Sequence, residues 1–375
     1  MIIDGHHHIW YDIQEKEKLR RYFPTRQAWD QCVTWAYGGT PPFKDPNALY
    51  SRHLARMSDY DGKYTAESLE YHKIDATTVF PVDYDLAWGQ PADITIEEKL
   101  IHTGELERKH PGKFLPYVNV DPRRTGALDI VKKAFEEWGK FYALKLIPGS
   151  GFYPWDPIVY PIYEYCIDRG IPIAFCVEGG GRGYRMERFN DPSNINDLMC
   201  EFRDMRVIIL HAGVPYTSWF EKCCYNAQHV NCSIEIDAWM YGRVRQGTGA
   251  AAARGRRAGH PNMIDDPDGL TTMFHFAKVT AGAHKIIWGT DTAHGPSYTK
   301  ETDMEHLGWS TPVKWLRSLP ERGAKLGYRF TAEEVDWMVG GNLARVLGIQ
   351  KDPAWNIPDK FGWRYRFPSA NRYRS

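Results

Sequence analysis

The chain has no apolar run long enough to span a bilayer and no excess charge of either sign. Lys and Arg together number 47, Asp and Glu number 47, and the formal net charge is zero. That balance excludes the basic footprint of a nucleic-acid binder and the polybasic patch of a membrane-surface protein. The first residues carry no signal-peptide pattern. The seven cysteines show no framework: their number is odd and they are scattered apart from the adjacent Cys223 and Cys224. This usage excludes a disulfide framework and predicts reduced thiols in a cytoplasmic protein. No Gly-x-Gly-x-x-Gly turn follows the first strand, which disfavours a dinucleotide-binding open sheet.

What is present is ordinary for a soluble globular protein: 43% hydrophobic and 25% charged residues. The length allows one large domain or two. Aromatics are plentiful, with 14 Trp and 22 Tyr. Many stand in loop-like stretches, as in a lined pocket or an interface. The most informative stretch is the first, Met1-Ile-Ile-Asp-Gly-His-His-His-Ile-Trp10. Its β-branched residues predict a short buried strand. Strand side chains alternate, so His6 and His8 share a face, about 6.5–7 Å apart, and His7 points away. Asp4 is expected on the histidine face, one pleat deeper. Asp-x-His-x-His at a strand end is a candidate half-site for a transition metal. The competing readings are surface decoration and a truncated affinity tag, although a tag has no apolar strand leading into it.

Residues 11–60 show no sustained periodicity and read as a long insertion, either a lid or a structural element packed outside or on a second subunit. Beyond it, apolar runs alternate with helical patterns. The runs cover 75–83, 114–120, 142–147, 171–178, 206–211, 232–237 and 285–291. Thr95–Glu98 and Thr331–Glu334 are capping-box signatures, and Ser193 is expected to cap another helix. A long loop spans 239–268, and 351–375 reads as a C-terminal arm. Counting the first strand gives eight βα units, which predicts an α/β fold of the (β/α)8 TIM-like barrel type in one domain over 1–350.

Such barrels carry chemistry at the C-terminal ends of their strands. Those ends offer His6 and His8 (strand one), Lys145 (four), Cys176 and Glu178 (five), His211 (six), Glu235 and Asp237 (seven) and Asp291 (eight), with His294 just beyond. A single polar strand end is often only a loop anchor. Three histidines and an aspartate on one rim point instead to metal-assisted chemistry. Arg182 and Arg185 after strand five, and Arg243 and Arg245 after strand seven, are candidates for binding a substrate carboxylate; solvated loop charge is the alternative for each.

Several segments, in order and spacing, carry a family resemblance. They are Ile3-Asp4-x-His6-x-His8, Val120-Asp121-Pro122, Leu144-Lys145-Leu146, Gly170-Ile171-Pro172, Leu210-His211-Ala212-Gly213, Gly289-Thr290-Asp291 and Gly341-Asn342-Leu343-Ala344. The chain resembles the amidohydrolase-related family that includes aminocarboxymuconate-semialdehyde and γ-resorcylate decarboxylases. The resemblance implies one divalent metal ion, zinc first and manganese second, held by His6, His8, Asp291 and a strand-five histidine. It also implies that His211 meets the substrate or the metal-bound water and that Asp291 shuttles a proton. The chain departs from the pattern at strand five, where Cys176 stands six residues after Gly170. Either Cys176 or Glu178 is expected to replace the histidine ligand, unless Cys176 is a plain buried hydrophobe. Lys145 is read as an unmodified, substrate-facing lysine rather than a carbamylated metal bridge. The activity expected is metal-dependent, non-oxidative decarboxylation of a small hydroxylated aromatic or unsaturated carboxylic acid. Hydrolysis of an amide, ester or lactone is the alternative, and a non-catalytic binding barrel the third reading. The expected partners are a small carboxylate and further copies of the chain, as a homodimer or higher homo-oligomer.

Overall fold

The protein is described here by a computed structural model covering residues 1–28, 58–179, 185–240, 261, 263, 266–293 and 310–349. Its centre is a curled parallel sheet. In chain order the strands are β1 (Ile3–His8), β2 (Ala76–Val79), β3 (Phe114–Asn119), β4 (Ala143–Leu146), β5 (Ile173–Cys176), β6 (Val207–Leu210), β7 (Cys232–Ile236) and β8 (Ile286–Trp288). Each lies beside its predecessor, so spatial order follows chain order. A two-residue strand, β9 (Thr292–Ala293), pairs with the free edge of β1 through His7–Thr292 and His8–Ala293. Only Gly289, Thr290 and Asp291 separate β8 from β9, and Asp291 N donates to His6 O at 2.8 Å. The chain leaving the last strand therefore pairs with the first, and the ring closes as the eight-unit pattern predicts.

Strands β1 to β8 are buried along their whole length; β6 is Val-Ile-Ile-Leu, without a polar residue. That composition suits a sheet whose outer face is covered by helices and whose inner face fills a barrel. Inside, Ala76, Ala143 and Ala174 alternate with Leu115, Tyr117, Ile208 and Ile287, and Leu343 with Val346 closes the bottom. Small and large residues interdigitate, so the lower barrel is solid and polar groups gather at the upper end. Outside, helices such as Ile96–Lys109, Tyr160–Arg169, Thr217–Asn226 and Pro267–Ala281 intervene between the strands. Both expected capping boxes are present: Thr95 and Thr331 each accept from the backbone of the glutamate three residues on, which reciprocates.

Ser193 differs from expectation. It is the first residue of the helix Ser193–Glu201, with Pro192 at the cap position, and Asp191 Oδ1 accepts its N–H at 2.8 Å. Proline has no N–H and a helix-compatible φ, so the turn starts one residue early and the acidic neighbour takes the capping role. The insertion is not wholly irregular: Ile13–Glu15 and Lys18–Arg20 form an antiparallel hairpin. Residues 29–57, most of the 239–268 loop and the 351–375 arm lie outside the described residues.

Candidate metal centre

β1 delivers the histidines as alternation dictates. His7 turns outward, its ring nitrogens at 3.2 Å from Thr292 Oγ1 and 3.2 Å from Thr65 Oγ1. His6 and His8 turn inward with ring centroids 5.2 Å apart. Asp291, three residues beyond β8, places Oδ1 3.5 Å from His6 Nε2 and 3.3 Å from His8 Nε2. Donors about 2.0–2.1 Å from a tetrahedral ion stand roughly 3.3–3.4 Å from one another. The two distances from Asp291 Oδ1 match that edge, all three donor atoms lie within 4.8 Å of one another, and His8 Nδ1 is buried with no hydrogen-bond partner among the described residues. Two imidazoles and a carboxylate are also the donor types that zinc and manganese accept. His6, His8 and Asp291 thus fit a divalent ion.

Asp4 does not join them. The β1–β2 register shifts between Asp4 and His7, which interrupts the strict alternation assumed from sequence. Its carboxylate accepts from Thr290 N and Thr290 Oγ1, both at 2.7 Å, from Thr77 Oγ1 at 3.1 Å and from His6 N at 3.2 Å. It joins β1 to β2 and to the chain leaving β8, the segment that carries Asp291.

The strand-five residues form a second group. Cys176 Sγ lies 3.4 Å from Glu178 Oε1, and both can meet His211 at a common point. Arg185 already fills this corner: it is ion-paired with Glu178, its Nη1 is 3.5 Å from Cys176 Sγ, and Nη2 donates to Tyr84 Oη at 2.7 Å. Lys145 stands between the groups, with Nζ 3.2 Å from His6 Nε2 and 3.5 Å above the Phe80 ring. An ammonium there and a metal ion would compete for the same lone pair. Arg182, Arg243, Arg245 and His294 lie outside the described residues.

Burial and charge set the protonation states. Burial, then the nearby Lys145, holds His6 well below its ordinary range, and burial brings His8 down to about 4. Both are neutral ligands near pH 7. Burial lowers Lys145 to about 8 despite the pull of Cys176 and Asp291. For His211, burial is outweighed by Asp237 and Cys176, and the imidazole rises to about 10. For Cys176, burial is outweighed by Arg185, His211 and Lys145, and the thiol falls to about 6. A charged His211 can only donate: Nδ1 to Asp237 Oδ2 at 2.5 Å, and on its other side toward Cys176, with Glu178 Oε1 3.8 Å from Nε2.

The backbone is unusual at the same points. His211, Ala212 and Asp291 have φ of 65°, 41° and 51°, in the left-handed region. Such conformations cost roughly 1–3 kcal/mol each and cluster where function demands a particular side-chain direction. Two groups were not assigned roles from sequence. Glu235 and Asp237 on and after β7 face His6 and His211 rather than adding donors to the first cluster. An aromatic wall of Trp10, Phe23 and Tyr84 leads from His8 to Arg185, with Trp10 4.9 Å from the His8 ring. Nothing in spacing alone separates an orienting carboxylate from a ligating one.

A closed eight-stranded barrel with nitrogen and carboxylate donors on its upper rim defines a class of metal-assisted lyases and hydrolases. The chain belongs to the amidohydrolase family, whose pattern it matches over residues 3–349. No curated protein matches the sequence significantly. Among solved structures it is similar to 5-carboxyvanillate decarboxylase from Sphingomonas paucimobilis, at 12% identity and TM-score 0.58, covering 92% of this chain and 98% of that one. It is also similar to 2,6-dihydroxybenzoate decarboxylase bound to 2,6-dihydroxybenzoate (12%, TM-score 0.57, covering 93% and 99%). A third is the 5-carboxyvanillate decarboxylase of Novosphingobium aromaticivorans complexed with manganese and a nitrobenzoic acid (10%, TM-score 0.57, covering 93% and 96%). At these identities the likeness is one of fold.

Proposed function

We propose that this chain is a metal-dependent, non-oxidative decarboxylase of a small hydroxylated aromatic or unsaturated carboxylic acid. The observation that carries the reading is the make-up of the centre. A donor set spaced for one divalent ion lies beside three cationic groups, Lys145, Arg185 and His211, and a wall of flat side chains. Cations suit an acid, and aromatic faces suit a planar ring. His6, His8 and Asp291 would hold the ion, zinc or manganese; the ion, when bound, supplies a Lewis acid that polarises substrate oxygens. Manganese is present in one similar decarboxylase structure.

In the reaction a proton adds to the carbon that bears the carboxylate. The C–C bond to the carboxyl group then breaks, its electron pair returns to the ring or alkene, and carbon dioxide leaves. Asp291, in its left-handed turn, would take up a proton from solvent, deliver it to that carbon and end as the carboxylate it began as. His211 Nε2–H, held by the Asp237 pair behind it, stabilises negative charge on a substrate oxygen. Lys145 and Arg185 orient the acid, and the Trp10–Tyr84 wall excludes water. The cysteines among the described residues are unpaired, which suits a cytoplasmic setting.

Hydrolysis is the second reading, and the 2.5 Å His211–Asp237 pair favours it specifically, because an oriented imidazole can also protonate a leaving group. The test is incubation of zinc- and manganese-loaded protein with a panel of hydroxybenzoates and enoic acids, and separately with lactones, esters and amides. Carbon dioxide release from the first panel, lost in Asp291→Ala, is expected. Activity confined to the second panel would transfer the assignment to the hydrolase, and inactivity on both, with no metal bound, would favour a binding barrel.

A further inference from the structure

We propose that Glu235 is a positioning residue that fixes the tautomer of His6, so that Nε2 is the nitrogen free to bind metal. The proposal rests on the reading of His6 as a ligand. His6 Nε2 faces Asp291 and Lys145, whereas Nδ1 faces β7, 3.1 Å from Glu235 Oε1 and 3.4 Å from Oε2. An imidazole that binds metal through Nε2 carries its proton on Nδ1, and that proton needs an acceptor. Asp237 is the other carboxylate within reach, but its Oδ2 is 3.7 Å from His6 Nδ1 and only 2.5 Å from His211 Nδ1. Asp237 serves His211, and Glu235 is left to serve His6.

The surroundings enforce the pairing. Gly289, the first residue after β8, has no side chain where a Cβ would stand 2.5 Å from Glu235 Oε1 and 2.9 Å from His6 Cβ. The carboxyl and the imidazole can approach only because that position is empty. Phe80 meets the His6 ring edge-on at 4.7 Å, which limits its rotation. Orienting partners of this kind typically contribute 10–100-fold to metal affinity. β7 on this view adds no ligand to the ion but orients one imidazole on β1 and another after β6.

The test uses the full chain, metal-free and labelled with 15N-histidine, with the His6 resonances identified from the His6→Gln spectrum. Wild type is expected to show a protonated Nδ1 and a bare Nε2. Glu235→Leu is expected to shift His6 toward the Nε2–H form and to weaken zinc binding, read by competition with a chromogenic chelator, by about 10–100-fold. Glu235→Gln, whose amide oxygen still accepts, should keep the wild-type tautomer and bind within a few-fold. An Nε2–H tautomer in wild type, or an unchanged tautomer and affinity in Glu235→Leu, overturns the inference. Should Glu235→Leu fail to fold, the wild-type and Glu235→Gln tautomers decide the matter. Failure of wild type to bind zinc would instead overturn the metal reading, which the tautomer measurement does not touch.

Discussion

Replacing Asp4 should separate two effects that a single deletion would merge. Its carboxylate accepts two backbone N–H groups, from Thr290 at 2.7 Å and His6 at 3.2 Å, and two hydroxyls, from Thr290 at 2.7 Å and Thr77 at 3.1 Å. The hydroxyls have other acceptors in place: Thr290 Oγ1 reaches His6 O at 3.0 Å and Thr77 Oγ1 reaches Thr78 O at 3.2 Å. The backbone groups bonded to Asp4 have no such rotation available. In Asp4→Ala they are left buried without that partner, at about 1–3 kcal/mol each, so a loss of roughly 4 kcal/mol is expected. Asp4→Asn keeps one oxygen for both N–H groups and loses only the charge-assisted part of each bond, about 1 kcal/mol apiece, or roughly 2 kcal/mol in all. Urea unfolding of the metal-free protein measures both, provided the m-value is unchanged. Equal losses, or an alanine variant as stable as wild type, would refute the view that this carboxylate joins the first strand to the segment carrying Asp291. Zinc affinity should fall with stability across the pair, because His6 and Asp291 are the residues so joined.

Two further outcomes follow from the geometry. His102 donates to Tyr60 O at 2.6 Å, and burial lowers it to about 4 from an ordinary 6.5. The unfolded chain therefore takes up this proton first, so stability present above pH 6.5 drains away as pH falls to about 4, by up to about 3 kcal/mol. The decline in unfolding free energy over that window should be shallower by this amount in His102→Gln; parallel curves would show that the burial is not maintained. Gly289→Ala should crowd Glu235 and His6 together, cost about 1–3 kcal/mol as an overpacked site, and weaken zinc binding. Wild-type affinity in that variant, by the same chelator competition, would show that the segment after β8 relaxes without moving either group.

The barrel and half of its centre were legible because both depend on short periods. Period-two alternation put His6 and His8 together and His7 away, and the repeated βα pattern supplied eight strands whose ends share a rim. What could not be read is how that rim divides. Alternation tells which face Cys176 and Glu178 occupy, but the approach of one strand end to another is set by register and twist, which no single segment encodes. Arg185 shows the difficulty most plainly. In sequence it is one of four loop arginines; in the fold its guanidinium lies against Cys176 and Glu178, and supplies there the positive charge that a ligand-type reading would give to a metal. A thiol and a carboxylate that already share a cation have less to gain from a second one. The cysteine that stands where the family resemblance implies a histidine is accompanied by an arginine nine residues on, and on the proposed reading the centre's charge divides between a candidate ion site at His6, His8 and Asp291 and a fixed cation beside it.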